Sequence, residues 1–166
     1  MKKICAMIVI CLLLCGCGAQ ETLETISDHW DVSVMAHSQQ VQLTLPEEAA
    51  IETMLAENAD KLYLCDGYTV AVQTVEAGDM DKTLKSATGF GSDELTVMET
   101  VQGGIKRFDC VWSAAGEAED QVCRAAILDD GAYHYVVTLM TGSSMAGELA
   151  EVWQEILDSV TLVSTG

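Results

Sequence analysis

Leu95–Met140 reads LTVMETVQGGIKRFDCVWSAAGEAEDQVCRAAILDDGAYHYVVTLM, and this stretch decides the fold. Four runs rich in β-branched and apolar residues, Leu95–Val101, Ile105–Ser113, Val122–Leu128 and Tyr133–Met140, are separated by turn chemistry. Gly103-Gly104 and Asp130-Gly131 are dipeptides suited to tight turns, and the middle connection is a loop rich in Ala, Gly and Glu. Four strands joined this way predict an antiparallel meander. A turn centred on Gly103-Gly104 sets Val97 opposite Cys110 and Leu95 opposite Trp112, so Phe108, Cys110 and Trp112 share one apolar face.

Working outward, Met145, Leu149, Val152, Trp153, Ile156 and Val160 recur at helical spacing opposite Glu148, Glu151, Gln154, Glu155 and Asp158. Such a helix must bury its apolar stripe on the sheet. Upstream, Lys61–Cys65 and Tyr68–Val75 flank Asp66-Gly67 as a hairpin. Gly78-Asp79 opens a helix through Ala87, with Met80, Leu84 and Ala87 inward and Gly89 as its stop. Pro46 with Glu47 and Glu48 predicts a helix to about Asn58 with Ile51, Met54 and Leu55 inward. Alternation at Trp30, Val32 and Val34, resumed at Val41, Leu43 and Leu45, reads as two early strands. The expected class is α+β: an antiparallel sheet of four or more strands with flanking helices, the C-terminal amphipathic helix packed on it.

The Pro46 segment, the run through Tyr68, Thr88-Gly89-Phe90, the Gly103-Gly104 and Asp130-Gly131 turns and the ending Trp153–Ser159 together resemble small bacterial lipoproteins of the PsbP-like fold group, over about Val41–Leu162. The resemblance implies an antiparallel sheet flanked by helices in a mostly noncatalytic binding or assembly module. It transfers no functional motif residue by residue.

The first seventeen residues also resemble a bacterial lipoprotein signal peptide. Lys2 and Lys3 form a basic start, Ile4–Leu14 is an apolar run too short to span a bilayer, and Leu14-Cys15-Gly16-Cys17 ends it. The resemblance implies cleavage after Gly16 and diacylglycerol lipidation of Cys17. Cys15 stands where Ala, Ser or Thr is usual. The expected organisation is then a signal peptide over 1–16, a lipidated N-terminus and polar tether over 17–28, and a single α+β domain over 29–166. The expected location is the extracytoplasmic face of the cell membrane, held by the lipid anchor.

Of 166 residues, 150 remain after such cleavage, the size of one ordinary domain. The full chain carries 26 acids against 8 bases, a net charge of −18. With Lys2 and Lys3 gone, six scattered bases remain against 26 acids, a net −20. That argues against a nucleic-acid partner, which needs clustered Lys and Arg. It also opposes adsorption to anionic lipid, so attachment must come from acyl chains. The acidity itself is read as solubility of an exported protein.

Each chemical candidate has a structural account beside it. Gly142-Ser143-Ser144-Met145-Ala146 partly matches a nucleophile elbow, but the elbow requires a histidine after the serine and His134 precedes it. Ser143 or Ser144 as a helix N-cap is the better account. Asp79-Met80-Asp81 and Asp129-Asp130-Gly131 fall short of the six or more oxygens of a calcium loop. Asp79 reads as a helix cap and Asp130 as a turn residue. His29 and His37 stand apart, whereas a turn centred on Asp130-Gly131 sets His134 opposite Ile127 as a partly buried structural histidine. Trp30, Trp112 and Trp153 do not gather into a stacking platform.

Seven cysteines fall into two groups, since Cys5, Cys11 and Cys15 leave with the signal and Cys17 takes lipid. Cys65, Cys110 and Cys123 remain, and no Cys/His spacing suits structural zinc. A hairpin centred on Gly116-Glu117 sets Cys110 across from Cys123, at a separation that suits a disulfide. The other reading is two buried thiols acting as small hydrophobes. No catalytic residue, cofactor motif or metal set emerges. The expected function is a membrane-anchored, noncatalytic lipoprotein that binds an unknown protein or small ligand, or serves envelope assembly. An extracytoplasmic hydrolase and a structural or immunity-like surface protein remain the alternatives.

Overall fold

The computed structural model describes residues 39–52 and 59–164. The signal segment, Cys17, the tether, the strand expected at Trp30–Val34, His29, His37 and the Met54–Asn58 part of the Pro46 helix lie outside the described residues. In chain order the elements are β1 Gln39–Gln42, β2 Ala50–Ile51, β3 Lys61–Cys65, β4 Tyr68–Glu76, α1 Met80–Thr88, β5 Val97–Gln102, β6 Ile105–Ala114, β7 Gln121–Asp129, β8 Tyr133–Gly142, α2 Ala150–Ser159 and β9 Thr161–Ser164. Seven strands form one sheet in the order β2-β3-β4-β8-β7-β6-β5, every pair antiparallel, while β1 and β9 make a separate two-stranded ladder. The meander β5–β8 is as expected, and the β3–β4 hairpin docks against its last strand. Val41–Val163 forms a compact unit.

The two described helices cover opposite faces. On one face Trp153, Ile156 and Leu157 of α2 and the following Val160 meet Tyr68, Val70, Val72, Tyr135, Val137 and Leu139. On the other, Leu84 of α1 meets Cys110, Trp112, Cys123, Ala125, Ile127 and Val136. The central strands β7 and β8 are therefore buried on both sides, which is why AAIL at 125–128 and YVV at 135–137 lose the alternation of a half-exposed strand.

The α1 boundaries follow local chemistry. Asp79 accepts from the Asp81 N–H at 3.1 Å as N-cap, and Gly89, at φ 85°, donates its N–H to Lys85 O as the left-handed stop. Gly103 and Gly104, at φ 61° and 86°, take the two positive-φ positions of a two-residue hairpin and fix Val97 opposite Cys110.

Several expectations are corrected. No helix opens at Pro46: the Ala49 N–H closes a single turn on Pro46 O, and Ala50–Ile51 pairs with Tyr63–Leu64 of β3, the sheet ladder overriding helix propensity. Ile51 is 62 % exposed instead of inward. Of the Val41–Leu45 run only Val41 is in a strand, although Leu43 and Leu45 still pack on the core. The last helix starts at Ala150, preceded by turns, so Met145 is not on its buried face and Leu149 is the N-cap.

Two hairpins are re-centred by one residue. Glu119 O closes against Gly116 where a side chain would stand, so β6–β7 pairs Cys110 with Ala125 and Trp112 with Cys123. Asp130 caps the Ala132 and Tyr133 N–H groups, so β7–β8 pairs His134 with Asp129 and Ile127 with Val136. Each register moves by two residues, which preserves the faces while changing the partners.

Candidate functional site

The α2 face of the sheet is only partly covered. Trp153, Ile156 and Leu157 sit over β4, β8 and β7, and the β5–β6 hairpin projects beyond them, leaving Met98 61 % and Val111 53 % exposed. Two adjoining concavities result. One, of about 200 Å³, is lined by Thr100, Gln102, Ile105, Arg107, Leu128 and Leu162. The other, of about 250 Å³, is lined by Met98, Asp109, Val111, Arg124 and Leu157.

Strand periodicity builds this floor. Residues 98, 100 and 102 of β5 lie opposite 109, 107 and 105 of β6, and alternation puts them all on the α2 side. Arg107 and Asp109, two apart on β6, form a forked ion pair with Nε and Nη2 donating to the carboxylate at 2.8–3.1 Å. The hydrogen bonds to Asp109 raise the Arg107 pKa, partial burial opposes them, and the Asp109 and Asp158 charges add to them. On β7, Arg124 Nη2 donates to Gln154 Oε1 at 2.9 Å, and Gln154 Nε2 donates to Asp158 at 2.8 Å, tying the sheet to α2. Both guanidiniums are thus neutralised or engaged. The groove offers an apolar surface with fixed hydrogen-bonding edges and no concentrated positive charge, suited to a partner surface or a partly apolar ligand.

His134 belongs to the other face. It is 1 % exposed, with Nδ1 2.7 Å from Thr83 Oγ1 of α1 and Nε2 4.0 Å from Asp129 Oδ1. A hydroxyl, an imidazole and a carboxylate in a row have the composition of a triad, but the carboxylate lies beyond hydrogen-bond distance and already accepts from the Gly131 N–H at 2.7 Å. What the contact does is fasten α1 to β8. The sequence signal for it was available, since Thr83 lies on the same i, i+3, i+4, i+7 stripe as Met80, Leu84 and Ala87.

Ser143 and Ser144 do not cap α2. The Ser144 N–H and both hydroxyls donate to the Glu119 carboxylate at 3.0–3.2 Å, hydrogen bonds that hold its pKa below the usual carboxylate range, the Ser144 N–H contributing most. This clamp joins the β6–β7 loop to the end of β8, and no spacing rule pointed to it.

Cys65, Cys110 and Cys123 are free thiols. Cys110 and Cys123 share a face, but the shifted register makes them diagonal neighbours, at about 7–8 Å for that geometry, instead of the direct partners expected for a disulfide. Burial pushes both up to about 11, helped at Cys110 by the adjacent Asp109 charge. Asp79 and Asp130 are a cap and a turn residue, as read. Among the described residues no group of three or more His, Cys, Asp or Glu is arranged to hold a metal ion.

No family model and no curated protein matches the chain. Solved structures do. A Mycobacterium tuberculosis protein described as LpqN, involved in cell envelope biogenesis, superposes with a TM-score of 0.53 over 76 % of this chain and 84 % of its own, at 11 % identity. The fold is PsbP-like. The solution structure of cyanobacterial PsbP from Synechocystis matches with a TM-score of 0.52 over 76 % of this chain and 93 % of its own, at 8 % identity. At these identities the PsbP-like likeness speaks for architecture alone, as the sequence led one to expect.

Proposed function

We propose that this PsbP-like chain is an envelope lipoprotein, anchored through Cys17, whose extracytoplasmic domain is a noncatalytic binding module that engages its partner along the β5–β6 groove. The observation that carries the reading is the uncovered hairpin: Met98 and Val111 stay exposed beside Leu157, with Arg107, Asp109 and Arg124 hydrogen-bonded around them. Exposed apolar residues ringed by fixed polar groups are the anatomy of a contact surface. The envelope assignment is supported by Lys2–Cys17 and by the description of LpqN as an envelope-biogenesis protein. Among the described residues no helix is long and apolar enough to cross a membrane; the attachment proposed is the lipid on Cys17.

Two measurements test the reading separately. Metabolic fatty-acid labelling should be lost in Cys17→Ala, and labelling that persists overturns the anchor. Photocrosslinking from position 98 in native membranes should capture a defined partner, which Val111→Glu should abolish while leaving the melting temperature unchanged. Identical capture by both chains overturns the groove.

A further inference from the structure

The sheet has two outer edges, and they differ. β2 has only two residues, a length that blunts pairing, whereas β5 has six, Val-Met-Glu-Thr-Val-Gln, with no proline and no Lys or Arg. Met98 and Val101 are 61 % and 66 % exposed on its two faces, and Glu99 is its single charge. The Gly103-Gly104 turn closes on the pair Gln102–Ile105, so in this hairpin type Glu99 and Val101 turn their backbone N–H and C=O groups away from β6, toward the edge that no described strand pairs.

We propose that β5 pairs with β5 of a second copy of this chain, antiparallel, with Thr100 on the two-fold axis. A two-fold axis perpendicular to a sheet keeps faces together, so paired residue numbers must sum to an even value. Centring on Glu99 would set it against Glu99 of the partner subunit, a like-charge pair that is disfavoured. Centring on Thr100 sets it against the partner's Thr100, a favourable pair, with Met98 opposite the partner's Gln102 and Glu99 opposite the partner's Val101. Lys106 lies opposite Val101 on β6 and is exposed on the same face as Glu99. Across the joint, Glu99 is therefore two strand spacings, about 9.6 Å, from the partner's Lys106, a gap that the two long side chains close over Val101. The complement forms twice by symmetry. It is local, because net charges of −18 on each chain repel and must be screened by salt for the edges to meet.

The test uses the full chain in nonionic detergent with Cys5, Cys11, Cys15, Cys17 and Cys65 all replaced by Ser, which leaves only the buried Cys110 and Cys123. Under mild oxidation at raised ionic strength, Thr100→Cys should give a disulfide-linked species of twice the 17.8 kDa chain mass. Glu99→Cys and the loop variant Glu117→Cys should stay at the collisional background. Adding Glu99→Lys to Thr100→Cys should lower the dimer yield about fivefold, as expected for losing exposed ion pairs, even though it reduces the net negative charge. Lys106→Glu in the same chain should restore it. A dimer through Glu99→Cys, equal linking at all three positions, no dimer at any of them, or a charge swap without rescue overturns the proposal.

Discussion

Asp130 offers the sharpest single test of how the β7–β8 hairpin is held. Its Oδ1 accepts from the Ala132 and Tyr133 N–H groups at 2.8 Å each, and its Oδ2 accepts from the Tyr135 hydroxyl at 2.9 Å. Tyr135 is 1 % exposed, so in Asp130→Ala its hydroxyl is buried without a partner, at a cost of about 1–3 kcal/mol. The two turn amides lie near solvent, and water replaces the carboxylate there at a loss of about 1 kcal/mol. The sum is about 2–4 kcal/mol, which for an m-value near 2 kcal/mol/M lowers the urea midpoint by about 1–2 M.

Tyr135→Phe removes the phenol together with its need for a partner. In a double-mutant cycle the combined variant should therefore be less destabilised than the two single effects added, by about 1–2 kcal/mol. Acid supplies a second limb. Burial raises the Asp130 pKa, but hydrogen bonds from Tyr133, Ala132 and Tyr135 outweigh it and leave the value lowered. The contribution is then complete above the ordinary carboxylate value and lost as pH falls through the folded-state value. Wild type should keep its advantage over Asp130→Ala through pH 4 and lose it in stronger acid. Additivity within about 0.5 kcal/mol, or a gap already closed at pH 5, would refute the reasoning.

Thr83→Val leaves His134 Nδ1 buried without its 2.7 Å partner and should cost about 1–3 kcal/mol in chemical denaturation, whereas Thr83→Ser should recover most of it. Gly142→Ala drives a methyl group into the Glu119 carboxylate and should swing this exposed side chain off Ser143 and Ser144, lowering the thermal midpoint by the equivalent of only about 1 kcal/mol for the surface hydrogen bonds lost. Cys110 and Cys123, with pKa values pushed up to about 11, should resist alkylation at pH 8 in the folded protein and react fully on denaturation without reductant, and reductant should not move the melting temperature.

Local signals read well where the chemistry is local. The Asp79 cap, the Gly89 stop and the two-glycine turn each set a boundary or a register through contacts within a few residues, and the structure keeps them. The readings that moved depend on atoms remote in sequence. Pro46-Glu47-Glu48 looks like a helix start until β3 offers a ladder to Ala50 and Ile51. Ser143 and Ser144 look like caps until Glu119 reaches them from across a loop. The two loops that slipped by a residue did so because Glu119 O and Asp130 close them, yet a slip of two in register keeps parity. Phe108, Cys110 and Trp112 therefore stay together on the α1 face while the Cys110–Cys123 opposition fails. The groove was invisible in sequence, because it depends on which strands α2 leaves uncovered.

That uncovered region follows from the placement of the helices. α1 packs over β6, β7 and β8, and α2 over β7, β8 and β4, so they overlap only at the centre of the sheet. Two opposite quadrants are covered by neither described helix: β5–β6 on the α2 side, with Met98 and Val111, and β3–β4 on the α1 side, with Leu64 41 % exposed. The quadrants differ in what fixes them. The first has its floor spanned by the Arg107–Asp109 fork and its wall joined to α2 through Arg124, Gln154 and Asp158, so its polar groups already have partners. A surface whose side chains are already ordered loses less entropy on association than a mobile one. This preorganisation, more than exposed apolar area, is why the proposed contact surface is placed on the β5–β6 quadrant and not on its counterpart.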